Sequence, residues 1–253
     1  MILYGDYHTH SVFSDGKSTL EENAKSAQDK HLKQMAATEH GFAHITGGIK
    51  RKQVPEIKER LKEINKKYDV DVLFGIEANL ISADGDLDIS PEEVKNYDIV
   101  IVGYHKLFRP KTFWGWFNFL IPNTFRIGKS SKKRIEKNTQ AFIKALEKYD
   151  VDIVAHLNTG RCFVDCVKVA QVAKERGAYI ELNGKRLAFT DQEILDMAKT
   201  GVKFIIDSDA HRCENVGLNN KALAVIDRLN IPHEQVVNLD KLPEFKRCNK
   251  ERK

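Results

Sequence analysis

Short apolar runs alternate with amphipathic stretches along the whole chain. The runs are Tyr4 to His8, Gln34 to Thr38, Val72 to Glu77, Asp98 to Tyr104, Asp152 to His156, Ala178 to Asn183 and Lys203 to Asp207. Several are β-branched and uninterrupted, as in residues 99–102, the pattern of strands covered on both faces of a parallel sheet. Between them, residues 19–30, 53–68, 130–148, 162–176, 190–199 and 218–229 read as amphipathic helices. Thr190 and Glu193 have the spacing of a capping box, and Gly177 and Gly201 stand as C-terminal stops. Seven strands alternating with helices predict a parallel α/β architecture, either an open sheet or a closed barrel.

A chain of 253 residues fits one such domain, spanning 1–253. A hydrophobic fraction of 42% supplies a full core and excludes disorder. The net charge is +5, from 41 basic and 36 acidic residues, with no block of five like charges. This excludes a polybasic nucleic-acid-binding arm but leaves room for a local positive patch. Cys162, Cys166, Cys213 and Cys248 are too sparse for a disulfide framework, and Cys162 and Cys166 read as small buried residues on one helix face. The N-terminus has no leader pattern, and the longest apolar run, Phe113 to Ile121, falls short of the ~20 residues of a membrane helix. The expectation is a cytoplasmic protein with no transmembrane segment.

Histidines decide between sheet and barrel. His8 and His10 follow the first run, His40 the second, His105 the fourth, His156 the fifth and His211 the seventh. Glu39, Glu77, Glu181, Asp207 and Asp209 also lie at or near the ends of runs. In a β/α barrel all strand C-termini open on one face, so these residues converge on one mouth. One strand-end histidine is commonly a satisfied hydrogen-bonding residue; six in one chain point to metal. Imidazole and carboxylate suit zinc, iron or manganese, and there are more candidate ligands than one ion takes, so two to three divalent ions are expected. His31 and His233 read as surface residues, and His44 is left outside the ligand set.

Read in order, the motifs are His8-Thr9-His10-Ser11, Ser14-Asp15-Gly16, Thr38-Glu39-His40-Gly41, Gly75-Ile76-Glu77-Ala78, Gly103-Tyr104-His105, Ala155-His156 and Asp207-Ser208-Asp209-Ala210-His211. The set resembles the PHP family, the polymerase and histidinol phosphatase superfamily, from residue 6 to about residue 240. It is most similar to the stand-alone phosphoesterases with a trinuclear site in a distorted seven-stranded barrel. The resemblance implies His8, His10, Glu77 and Asp209 as ligands of a first metal. It implies Asp15, His40 and His211 for a second. Glu77 would bridge to a third, held by His105 and His156. Leu157 stands where the family often has proline after the histidine.

The implied activity is hydrolysis of a small-molecule phosphate ester by metal-activated hydroxide, with Glu77, Asp209 and His211 as the catalytic groups. Arg161 and then Lys106 are the candidates for binding phosphate, followed by the segment Arg126, Lys129, Lys132, Lys133 and Arg134. A nuclease-type phosphodiesterase and an amidohydrolase are the rival classes, and no stable nucleic-acid complex is expected. Residues 107–129 form a long aromatic-rich loop. It is expected to act as a lid or as a self-association surface giving a homo-oligomer, with contact to a membrane surface as the third reading.

Overall fold

The computed structural model describes residues 1–128 and 131–248. Lys129 of the basic segment, Ser130 at the predicted helix start and residues 249–253 lie outside the described residues. Seven strands, β1 (Gly5–Thr9), β2 (Gln34–His40), β3 (Asp71–Asn79), β4 (Ile99–Gly103), β5 (Ile153–Val154), β6 (Tyr179–Asn183) and β7 (Phe204–Asp207), pair in parallel in chain order. Each falls on one of the predicted runs. The sheet curls into a nearly closed barrel, because Thr9 bridges Ala210 and His10 N–H donates to the Ala210 carbonyl at 2.8 Å.

Lower down, side chains close the seam between β7 and β1. Asp207 Oδ1 accepts from Tyr7 N–H at 2.7 Å. The Asn238 amide accepts from Ile206 N–H at 3.0 Å and donates to the Gly5 carbonyl at 2.9 Å. Backbone groups that a flush strand pair would satisfy are satisfied instead by an amide and a carboxylate, as buried polar groups require. This is the distortion of the barrel.

Strand periodicity explains what fills it. Ala36, Leu73, Ile99, Ile101, Ile153 and Ile205 point inward with Tyr7, and Phe245 stops the lower end with its ring 4.8 Å from that of Tyr7. Along β3 the parity that turns Leu73 inward also turns Glu77 inward, two pleats higher. A second, larger apolar cluster fills the space between sheet and helices.

The predicted helices form with small shifts at their ends. Thr19 and Thr190 both build reciprocal capping boxes, with Glu22 and Glu193. Gly177 (φ 66°) and Gly201 (φ 79°) close helices in the left-handed region that glycine adopts without penalty. One start differs: the helix expected from Cys162 begins at Cys166, because the Asp165 side chain caps the Lys168 N–H. Cys162 and Cys166 are both buried, on either side of that cap. The aromatic connection also differs from the expected loop. Residues 113–124 are helical with a π-type turn at Trp116–Leu120, since Phe119 and Leu120 are buried and hold the segment to the barrel. Among the described residues no helix is long and apolar enough to cross a membrane.

Candidate metal centre

All nine ligand candidates lie in one cluster at the C-terminal mouth. Glu77 is at its middle, fully buried on β3. Its Oε2 lies 3.4 Å from His8 Nε2, 3.6 Å from His10 Nε2 and 2.7 Å from His40 Nδ1. Its Oε1 lies 2.7 Å from His156 Nε2 and 3.2 Å from His105 Nε2. Asp209 Oδ1 stands 3.4 Å from His10 Nε2 and 3.8 Å from His8 Nε2. Asp15 Oδ1 is 3.2 Å from His40 Nε2 and 3.3 Å from His211 Nε2. Donor atoms of His8, His10 and Asp209 come together, as do those of His10, Asp15, His40 and His211, and two further groups share Glu77, one with His8 and His156, the other with His40 and His105.

The residues fit bound metal. His8 Nε2, His10 Nε2, His40 Nδ1, Asp15 Oδ1 and Glu77 Oε2 are buried without a hydrogen-bond partner. Orphaned buried polar atoms are costly, and here they crowd one another at ion-pair distances. Charge gives the same answer. Burial opposes charging of His8, but Glu77 and Glu181 outweigh it and raise its pKa. Burial and His40 push His10 down to about 3, while burial and its neighbouring histidines also lower His105. Five imidazoles around one glutamate cannot all be protonated, and His10 and His105 are the ones kept neutral, the form that binds metal.

The mouth is shaped by backbone that most side chains avoid. His156 (φ 34°) and Asp209 (φ 51°) are non-glycine residues in the left-handed region, a cost of about 1–3 kcal/mol each that marks functional positions. The turn at His156 also cuts β5 to two residues, shorter than the predicted run. At Gly103 a Cβ would come 2.7 Å from Glu77 Oε1 and 2.8 Å from His156 Cε1, so only glycine leaves room for the pair.

Several residues outside the ligand set support it. Glu181, at the inward parity of β6, accepts from His8 Nδ1 at 2.6 Å and from His156 N–H at 2.8 Å. Glu39 turns away from the mouth and takes Ser11 Oγ at 2.5 Å as well as Ser14 Oγ, bracing the loop that carries His10 and Asp15. Asn79 Oδ1 accepts from His105 N–H at 3.1 Å. His44 stays outside the donor groups but packs against them: its ring stacks on His40 at 4.5 Å and 11°, with Nδ1 accepting from Gly47 N–H. Its position three residues beyond a histidine turn was the available signal. His31 and His233 are on the surface as expected.

The two phosphate-binding candidates lie outside the carboxylate–imidazole cluster. Arg161 Nη1 donates to the Thr124 carbonyl, linking the loop after β5 to the aromatic segment. Lys106 is exposed immediately after His105.

A barrel mouth lined in this way belongs to a metal-dependent hydrolase. The model of the PHP domain family matches residues 6–208, and the chain belongs to that family. It is 31% identical over 255 residues to a probable phosphatase of Caldanaerobacter subterraneus subsp. tengcongensis, covering 95% of this chain and 89% of that protein. A probable phosphatase of Clostridium novyi is 30% identical over 249 residues, covering 93% and 90%. The barrel superposes on histidinol phosphate phosphatase from Lactococcus lactis, complexed with zinc, L-histidinol and phosphate, with a TM-score of 0.60 at 16% identity over 91% of this chain and 95% of that one. A chain in the cryo-EM structure of an archaeal ribonuclease P with mature tRNA shares the fold at a TM-score of 0.53 and 15% identity, over 90% of this chain and 84% of that one. Family and site together make this protein a metal-dependent phosphoesterase.

Proposed function

We propose that the protein hydrolyses phosphate monoesters of small molecules at a centre of two to three divalent ions, zinc, manganese or iron. The observation that carries this is the divided environment of Glu77, whose two oxygens face different sets of imidazoles. A carboxylate shared in this way suits a multinuclear centre. In this reading His8, His10, Glu77 and Asp209 hold one ion, and Asp15, His40 and His211 a second. Glu77 reaches a third with His105 and His156. When bound, such ions acidify a water and neutralise the phosphate oxygens.

The chain's own groups then have separate tasks. Glu77, Asp209 and His211 form the catalytic face of the mouth. Glu181 keeps a proton on His8 Nδ1 and so leaves the Nε2 lone pair turned toward Glu77 and Asp209. Arg161 and Lys106 receive the phosphate, with the Thr124 carbonyl fixing the Arg161 guanidinium. A monoester is favoured over a diester because a histidinol phosphate phosphatase shares the barrel and the curated relatives are probable phosphatases.

The test is a panel of soluble substrates: the esters p-nitrophenyl phosphate, bis-p-nitrophenyl phosphate and histidinol phosphate, and the cyclic amide dihydroorotate. Chelator-sensitive turnover of the monoesters is expected. A clear preference for the diester, or turnover of the amide alone, would replace this reading with a nuclease-type or amidohydrolase one.

A further inference from the structure

Between Asp98 and Glu136 the chain carries eight Lys and Arg and no Asp or Glu. The same stretch holds a set of exposed apolar side chains. Phe113 is 70% exposed, Trp114 68%, Phe117 53%, Phe125 71% and Ile127 57%. They stand on a fixed base. Phe108 and Phe119 are buried, each with its ring 5.6 Å from that of Tyr104. Arg134 Nη1 donates to the Asn118 carbonyl at 2.9 Å, and Thr124 Oγ1 donates to the Lys106 carbonyl at 3.1 Å. Large apolar groups held outward on an ordered element mark an interaction surface.

We propose that this segment docks the protein on a bilayer surface bearing anionic lipid headgroups. Phe113, Trp114, Phe117, Phe125 and Ile127 enter the boundary between headgroups and acyl chains, and the surrounding Lys and Arg meet the lipid charge. Charge decides between the possible occupants. A second copy would bring one net-basic face against another, since among the described Lys and Arg of the stretch Lys111 alone pairs with a carboxylate, that of Asp86. A single-stranded nucleic acid would match the charge, but it needs open ring faces on which bases stack. Here three of the rings pack edge-on, Phe113 with Phe117 at 5.3 Å and 61°, and Phe113 with Trp114 at 5.9 Å and 71°. Ile127 has no face to stack. Aromatic and aliphatic side chains with a basic rim are the composition of an interfacial anchor. The segment starts directly after His105 and is tied through Thr124 to Arg161, so the docked face adjoins the mouth.

The two tryptophans of the chain, Trp114 and Trp116, both lie in this segment, so intrinsic fluorescence reports on it directly. The whole protein is titrated with vesicles of phosphatidylcholine alone and of phosphatidylcholine mixed equally with phosphatidylglycerol, with co-sedimentation alongside. A blue shift and pelleting with the anionic vesicles, weakened by salt, is the expected result. Phe113→Ala with Phe117→Ala should weaken partitioning about tenfold or more, and Arg109→Gln, an exposed basic residue of the stretch, about fivefold. Hydrolysis of p-nitrophenyl phosphate in solution and metal content should stay at parent values in all of these, which separates this test from that of the activity. Three outcomes overturn the proposal: no response to anionic vesicles; a response that tracks protein concentration and a doubled mass in light scattering, which would give the face to a second copy; or binding of a single-stranded oligonucleotide without binding of vesicles.

Discussion

His156 Nε2 and Glu77 Oε1 approach to 2.7 Å across the barrel mouth, with Gly103 directly behind the pair. The contact joins β3 to the loop after β5, and it exists only because β4 ends in a residue without a side chain. Gly103→Ala is expected to push the two groups apart and cut bound metal while the apolar barrel below stays folded. Overpacking of this kind costs about 1–3 kcal/mol. Metal analysis together with a thermal melt checks it. Parent metal content in Gly103→Ala would mean that the pair adapts and that the glycine is not required.

Glu77→Ala should be far more damaging than His156→Ala. Glu77 faces five imidazoles, whereas His156 serves one end of it, so loss of the carboxylate should uncouple the whole cluster. The expected difference in kcat/KM is about tenfold or more. Equal, mild losses with unchanged metal content in both variants would rule out a bridging role for Glu77.

Glu181→Gln tests the support beneath His8. The carboxylate fixes the Nδ1 proton of that ring, and losing an orienting partner of this type typically weakens metal binding about 10–100-fold. A competitive chelator titration reads the affinity. Affinity equal to the parent would show that the His8 tautomer is set elsewhere.

The strands and most of the site were legible in the sequence because two short-range rules act there. Short β-branched apolar runs such as residues 99–102 suit strands covered on both sides, as β4 is, and in a barrel every strand end faces the same mouth. Most of what escaped was set by contacts distant in the chain, and one helix start by a local cap. The sequence puts Glu181 near the mouth, but its pairing with His8, 173 residues away, follows only from the folded barrel. The helix expected from Cys162 starts later because a local aspartate cap overrides the apolar pattern. Arg161 was expected at the phosphate on position alone; its bond to the Thr124 carbonyl depends on where the aromatic segment packs.

Asp152 gives a pH signature at the opposite end of the barrel from the metal cluster. Burial raises its pKa from 3.8 to about 6, outweighing the Arg247 guanidinium and the Val100 N–H that favour its charged form. The folded protein therefore binds more protons at this site than the unfolded chain between about pH 4 and 6, and stability falls as pH rises through that window. The stabilising effect of the neutral carboxyl is fully present below the unfolded pKa and lost above the folded one. Comparing the unfolding free energy of parent and Asp152→Asn across this range isolates the term from the metal ligands. The parent should lose about 2 kcal/mol relative to the variant from pH 4 to pH 7. A difference that stays flat, or that changes with the opposite sign, would mean that Arg247 holds Asp152 charged.

In the function proposed above, nine side chains at one barrel mouth form a multinuclear metal centre on which phosphate ester hydrolysis depends. Its most direct test is metal analysis of the purified protein before and after chelation, paired with p-nitrophenyl phosphate hydrolysis on the same samples. Two to three equivalents of zinc, manganese or iron are predicted, with activity lost on chelation and restored by adding metal. Fewer than one equivalent after metal loading, or full activity in the metal-free protein, would contradict it.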